Sequence, residues 1–427
     1  MYNLQEKKKQ RAFLMALELP HTSREEVENS LDELAGLVET AGGIVEGYDV
    51  QARDKPGGPL LIGKGKAQQL EGMRKNQEFD LLVFNHDLSP SQQRNLEDII
   101  QCPILDRTSI ILDIFAGRAR TREAKLQVEL AQLQHRLTRL AGKGVDLSRL
   151  AGGIGTRGPG LTKLEVDRRR IRDKIAYISK ELKKVQRHRV LIRKRRVHGT
   201  TPVVALAGYT NVGKSTLHRA LTGGDTYVDD RLFATLDASA RRVDPGEGES
   251  YVLVDTVGFI RDLPTRLVAA FRSTLEEVQH SDVLLHVIDS SSKKMQEEIK
   301  VVEEILDDLE VLDKPRIRVF NKIDLLDDPN DILPYVYEFK NSAIVSVIKN
   351  KGLDDLNRKI QGEIEKFREE VELLIPYEKF GLMDIIYNEG SLLEENPTQE
   401  GIYIKAILDH ALIGRIKNEL GIYDKEE

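Results

Sequence analysis

Apolar residues recur along the chain in two rhythms, and the exchange between them divides it. From residue 12 to about 110, short apolar runs at Phe13–Leu19, Gly43–Val50, Leu81–Asn85 and Pro103–Asp106 alternate with helical patterns such as Ser23–Thr40 and Ser91–Ile100. Such alternation predicts a small α/β domain with a largely parallel sheet. The rhythm then changes. Leu126, Leu130, Leu133, Leu137 and Leu140 are spaced 4, 3, 4, 3, and Leu164, Ile171, Ile175, Ile178, Leu182 and Val185 share one face of a second helical stretch. Two seamed helices in succession pack as an antiparallel hairpin. Between them, Gly142 to Lys163 holds seven glycines and no periodicity, which marks a functional or a disordered loop.

From Pro202 to about Phe367 the first rhythm returns. VVALAGY, YVLVDTVGF, DVLLHVIDS, RIRVFNK and AIVSVI are flanked by helical patterns, the order of a doubly wound sheet. A remainder carries strand-like VELLIPY and GIYIKAIL and helix-like Leu382–Tyr387 and Leu412–Leu420. The expected domains are therefore residues 1–116, 117–198, 199–370 and 371–427. A chain of 427 residues does need more than one core.

Charge sharpens this division. The net charge is −6, yet residues 117–198 alone carry 24 Lys and Arg against 7 Asp and Glu, so an acidic protein contains one segment of net charge +17. No run approaches the roughly 20 apolar residues of a membrane span. The start MYNLQEKKKQR is followed only by FLMALEL before Pro20, too brief for a signal-peptide core. Export is not expected; the expected location is cytoplasmic, with peripheral membrane association left open. The lone Cys102 forbids an intramolecular disulfide and reads as a small buried hydrophobe. The nine histidines show no metal-site spacing.

Three motifs carry chemistry. Gly208-Tyr209-Thr210-Asn211-Val212-Gly213-Lys214-Ser215 matches G-x-x-x-x-G-K-[ST] between the strand VVALA and a helical pattern that opens with Thr216. Such a loop wraps backbone N–H groups around phosphates at a helix N-terminus. Gly213 admits close approach, Lys214 reaches the β- and γ-phosphates, and Ser215 offers its hydroxyl to Mg²⁺. A chance glycine-rich turn is the competing reading, and the order of strand, loop and helix argues against it. Asp255-Thr256-Val257-Gly258 ends the next strong strand, 41 residues after Lys214. There Asp255 can hold Mg²⁺ through water, and the Gly258 N–H can meet the γ-phosphate; alone, the motif is a common turn. Asn321-Lys322-Ile323-Asp324 follows RIRVF. A carboxylate at Asp324 accepts from the N1–H and exocyclic amine of guanine, donors that adenine does not present in that arrangement. Leaving such polar groups unpaired discriminates by roughly 10⁴-fold, so GTP is favoured over ATP. Asn321 is expected to brace the loops and the stem of Lys322 to lie against the base, whereas NKID alone could be a capped turn.

The fold class that follows is α/β: a P-loop domain with a doubly wound, mostly parallel sheet, an N-terminal α/β domain, a basic antiparallel helical hairpin and a small C-terminal α+β domain. With the motifs in place, the chain resembles the HflX family of ribosome-associated GTPases from about residue 10 to 425. The resemblance rests on DRTSIILDIFAGRARTREAKLQVELAQL (106–133), RGPGLTKLEVDRR (157–169), GYTNVGKSTL (208–217), LFATLDA (232–238), DTVGFIRDLP (255–264) and NKID. It implies an N-terminal part that binds ribosomes and a GTPase domain that drives or times this. It also implies that Thr235, in Phe233-Ala234-Thr235, is the switch threonine that closes on Mg²⁺ and the γ-phosphate. Lys214, Thr235 and Gly258 then form the catalytic set, and Ser215, Thr235 and Asp255 the Mg²⁺ set. Many GTPases place a water-orienting glutamine after D-x-x-G. Here, as in the family, the residue is apolar, Phe259, so slow intrinsic hydrolysis accelerated by the ribosome is expected.

Two positions depart from the family pattern. Leu161 replaces the glutamate of its GPGET motif, so no role of that acid carries over. Ser346-Val347-Ile348 stands where a Ser-Ala guanine loop is usual. The backbone N–H to the guanine oxygen survives, but the bulkier valine is expected to crowd the base and weaken affinity. The family also places its hairpin tip near the peptidyl-transferase centre of the large (50S) subunit, and an ATP-binding activity has been associated with its N-terminal region.

The +17 segment fits a polyanion, bound with release of counterions and strong salt dependence. Its one Tyr, Tyr177, and lack of Phe or Trp favour recognition of folded RNA by shape and backbone over reading of bases. Lys143, Arg149, Arg157 and Lys163, in or beside the tip, are the candidate RNA contacts, against the plainer reading of a solvated coiled coil. Gly63-Lys64-Gly65-Lys66 reads as a structural turn in preference to a phosphate site. The expected function is that of a monomeric GTPase that binds the 50S subunit and splits or rescues stalled or idle 70S ribosomes under stress. The alternatives are an RNA-binding GTPase for large-subunit assembly and a signalling GTPase without an RNA partner.

Overall fold

The computed structural model describes residues 9–55, 57–76, 78–141, 159–197, 201–223, 232–233, 235–236, 239–246, 248–261, 275–339 and 341–422. The chain divides into two compact units, one of Met1–Lys183, Asp229–Asp237 and Leu263–Phe271, the other of Lys184–Val228, Ala238–Asp262 and Arg272–Glu427.

The first unit begins β1 (Arg11–Glu18), α1 (Arg24–Thr40), β2 (Ile44–Ala52), α2 (Lys64–Lys75), β3 (Leu81–Phe84), α3 (Pro90–Ile100), β4 (Ile104–Asp106) and α4 (Arg107–Arg118). Its sheet has the order β2-β1-β3-β4 and is parallel throughout. Six consecutive buried residues in β1 mark a strand covered on both faces, as parallel sheets require. Capping boxes start α1, through Ser23 and Glu26, and α3, through Ser89 and Gln92; each satisfies two N-terminal backbone donors. Cys102 is buried, and burial pushes its thiol up to about 11. At the turn before α2, the Gly63 N–H donates to Gln51 at 2.8 Å and Lys66 pairs with Asp49 at 2.6 Å.

At the join of β4 and α4, Asp106 is 1% exposed. It accepts from the Ser109 N–H at 3.0 Å, capping α4, and from Arg139 at 2.9 Å. Burial alone would push this carboxyl up, but Arg139, the Ser109 hydroxyl, His135 and the Ser109 N–H together hold it below the usual carboxylate range. A group so lowered stabilises the fold above its unfolded pKa of about 4, and the contribution is lost as pH falls through the folded value. Asp106→Ala, which strands the Arg139 cation and removes the cap, should cost this unit about 3–5 kcal/mol near neutrality. Urea unfolding should show that gap, and should show it closing in acid.

Helices α5 (Arg122–Ala141) and α6 (Pro159–Val197) follow. Leu133, Ile178 and Leu182 are buried between them, with Leu126, Leu130, Ile171 and Ile175 alongside. Arg122 reaches Glu181 at 3.0 Å and Lys174 pairs with Glu129, the crossed order of an antiparallel pair. The predicted seam therefore forms over Leu126–Leu133 and Ile171–Leu182. Of the tip candidates, Lys143, Arg149, Arg157 and the side chain of Lys163 lie outside the described residues.

The second unit carries β5 (Val203–Gly208), α7 (Lys214–Thr222), β6 (Ser239–Val243), β7 (Tyr251–Asp255), β8 (Val283–Asp289), α8 (Met295–Asp308), β9 (Arg316–Asn321), α9 (Leu333–Glu338), β10 (Ser342–Ile344) and α10 (Leu353–Glu365). Its sheet runs β10-β9-β8-β5-β7-β6, with only β6 antiparallel. Val204, Leu206, Leu253, Leu285, Val287, Val319 and Ile360 build its core. The carboxyl ends of β5, β7 and β9 carry the three motifs along one edge, where doubly wound sheets bind ligands.

Beyond them β11 (Arg368–Pro376), α11 (Gly381–Glu389), β12 (Ser391–Pro397), β13 (Gly401–Asp409) and α12 (His410–Leu420) form an antiparallel sheet of order β11-β13-β12. Leu373, Ile375, Ile404 and Leu408 pack with Met383, Ile386 and Ile416 of its helices. Among the described residues, no helix is long and apolar enough to cross a membrane.

Candidate guanine-nucleotide site

The loop after β5 is shaped by two left-handed positions, Asn211 at φ 62° and Gly213 at φ 96°. A Cβ on Gly213 would lie 2.4 Å from Asn321 Nδ2, so glycine is required both by the backbone and by the neighbour. This geometry hands the chain to α7 at Lys214 and brings the first N–H groups of that helix to the hollow of the loop. Among the described residues, the Thr210 Oγ1 of this loop is buried without a hydrogen-bond partner, a polar atom still unused. Lys214 is 6% exposed and donates to the Gly208 and Tyr209 carbonyls at 3.0 and 2.6 Å.

Burial pushes the Lys214 amine down to about 8, with Asp255 pulling it the other way. Phosphate oxygens favour the charged form, so binding draws a proton onto Lys214 wherever the pH exceeds that value. Affinity for GDP should fall about tenfold between pH 7 and 9, with proton uptake visible by calorimetry in buffers of different ionisation enthalpy. An affinity flat across that range would contradict it.

Asp255 and Thr256, fully buried at the end of β7, are set by the strand itself, and the Thr256 hydroxyl donates to the Leu206 carbonyl at 2.5 Å. Gly258 lies so close that a Cβ there would meet Thr210 Cα at 2.9 Å and Lys214 Nζ at 3.0 Å. The chain thus runs from Asp255 directly against the phosphate loop. The Asp255 carboxylate and Ser215 hydroxyl are hard oxygen donors, suited to Mg²⁺, which is ordinarily held by one or two protein groups together with substrate phosphates.

At the base end, Asn321 ties three pieces together. Its Nδ2 donates to the Val212 carbonyl at 2.9 Å, and its Oδ1 accepts from the Val347 N–H at 3.3 Å. Lys322 is left-handed at φ 63°, and its Nζ is held by Asp289 at 2.6 Å, which fixes the direction of the stem. The Ser346 hydroxyl donates to Asp324 and accepts from the Lys349 N–H at 3.2 Å. Val347 is 9% exposed and belongs to the core, so its extra bulk is taken up by packing; Ile348 is 75% exposed.

Structure and motif diverge at the flanks. Phe259 is 2% exposed: its ring is a core side chain, an environment that suits an apolar residue and not a glutamine. The Phe233 ring packs edge-on against Phe115 of α4, centroids 4.7 Å apart, so it serves as packing within the first unit. Thr235 lies in the same segment, and Ala234 lies outside the described residues. Sequence reading missed Asp289 as the partner of Lys322. Its signal was an acid at the end of the apolar run VLLHVID.

A glycine loop cradling the N-terminus of α7, an acid and a close-approaching glycine after β7, and a guanine-type carboxylate after β9 define a P-loop GTPase. Residues 203–322 match the family described as "50S ribosome-binding GTPase", 28–116 "GTP-binding GTPase N-terminal" and 118–196 "GTP-binding GTPase Middle Region". The chain is 49% identical over 411 residues to the GTPase HflX of Caldanaerobacter subterraneus subsp. tengcongensis, covering 96% of this chain and 94% of that one. It is 47% identical over 300 residues to the GTPase HflX of Escherichia coli (strain K12), 70% of each chain. It belongs to the HflX family of GTPases. Among solved structures, a GTP-binding protein from Sulfolobus solfataricus in complex with GDP aligns over 84% of this chain and 99% of its own, at 26% identity and a TM-score of 0.44.

Proposed function

We propose that this GTPase binds the large (50S) ribosomal subunit and splits or rescues stalled or idle 70S ribosomes under stress, with GTP hydrolysis timing its release. The observation that carries this reading is the net +17 of residues 117–198, set on a helical hairpin and joined in one chain to a guanine-nucleotide site. Charge of that density releases counterions from RNA phosphates. The hairpin tip, with Lys143, Arg149, Arg157 and Lys163, meets rRNA near the peptidyl-transferase centre. The protein acts as a cytoplasmic monomer built from the four domains read in its sequence.

At the nucleotide site, the loop Gly208–Ser215 holds the phosphates, Thr216 continues that wall, and Asp324 with Asn321, Lys322 and the Ser346–Ile348 turn holds guanine. Ser215, Asp255 through water and Thr235 would hold Mg²⁺, which would supply neutralisation of phosphate charge. Lys214, Thr235 and the Gly258 N–H surround the γ-phosphate. Phe259 lends no polar group to the attacking water, so turnover is slow until the ribosome orders the site. Incubation with GTP and intact 70S particles tests this. Dissociation into subunits supports it; binding confined to immature 50S particles would replace it with an assembly role.

A further inference from the structure

The first of the four unspecified positions in the G-x-x-x-x-G-K-[ST] pattern is here Tyr209, and it does more than fill the loop. Tyr209 and Phe259 form a parallel bridge: the Phe259 N–H donates to the Gly208 carbonyl at 3.0 Å, and the Thr210 N–H donates to the Phe259 carbonyl at 2.7 Å. The Tyr209 ring packs on the core of the sheet, which fixes where its hydroxyl points. That hydroxyl accepts from the Arg261 N–H at 2.9 Å, and the Arg261 guanidinium reaches Glu297 in the first turn of α8 at 2.5 Å. Residues 259–261 are thus stitched to the phosphate loop by three backbone-donated bonds and anchored at their far end to a helix. Between the bridge and Asp255 lies Gly258, the residue whose N–H must meet the γ-phosphate.

The geometry points to Tyr209 as a positioning residue for γ-phosphate recognition and hydrolysis. Its hydroxyl holds the start of the segment after D-x-x-G against the phosphate loop, so the Gly258 N–H stays aimed at the third phosphate while Phe259 is kept in the core. GDP lacks that phosphate and draws nothing from the clasp. In a site whose water-orienting position is apolar, the alignment of this backbone is the contribution that the protein makes there by itself.

Tyr209→Phe in the full chain removes one oxygen and leaves the ring, the Lys214 contact with the Tyr209 carbonyl and the bridge. The expected result is GDP affinity within about twofold of the parent, affinity for a non-hydrolysable GTP analogue with Mg²⁺ lower by about tenfold, and kcat at saturating GTP lower by about tenfold. A purely structural role would weaken both nucleotides alike. Equal losses for GDP and the analogue, or no change in the analogue affinity and kcat, would overturn the proposal.

Discussion

Asp324→Asn should lower GTP affinity by about 10³–10⁴-fold while raising affinity for xanthosine triphosphate. The carboxylate offers two acceptors to the N1–H and exocyclic amine of guanine; an amide keeps one and turns a donor toward the amine. Xanthine carries a carbonyl where guanine carries that amine, and the same amide N–H then finds an acceptor. The loop should survive the change because its frame rests on other groups: Asn321 holds Val212 and Val347, and Lys322 is held by Asp289. Direct titration with labelled GTP and xanthosine triphosphate checks the exchange. Retention of GTP affinity within a few-fold would mean that Asp324 does not read the base.

Gly213→Ala should weaken GDP and GTP together by about 10²-fold or more. A methyl group at φ 96° sits in a region that costs an L-residue about 1–3 kcal/mol, and it would also drive into Asn321 Nδ2 at 2.4 Å. Relief requires Asn321 to release Val212, which opens the phosphate loop and the base loop at once. This parallel loss contrasts with the GTP-selective loss expected of Tyr209→Phe. Equilibrium dialysis with both nucleotides separates the two patterns, and an alanine variant that binds GDP normally would refute the steric reading.

Much of this was legible without coordinates because it depends on local order. Strand, glycine loop and helix follow one another within 20 residues of Val203, and the spacing of leucine, isoleucine and valine revealed the hairpin seam now seen at Leu133, Ile178 and Leu182. What escaped lacks a local signature. Strand β6 is SARRV, with three exposed residues in five, and forms because β7 offers it an edge. Strand β12, SLLEENP, is similarly polar and pairs, among the described residues, only with β13. Phe233 lies two residues before Thr235 in sequence, yet its ring joins Phe115, a contact between residues more than a hundred positions apart. The same holds for the Tyr209 hydroxyl and the Arg261 N–H, which no spacing rule connects.

Phe259 links these observations to function. Read as a residue, it explains why a water-orienting side chain is missing at that position. Seen at 2% exposure, it becomes part of the core, and the proposed function assigns the acceleration to ordering of the backbone and of Thr235 by a partner. In that proposal the basic hairpin gives the partner its chemistry. The most direct test is steady-state GTP hydrolysis by the full chain with and without purified large ribosomal subunits, repeated across a salt series. At least tenfold stimulation, fading steeply as salt rises, is predicted; equal turnover with and without the subunits at low salt would contradict the account.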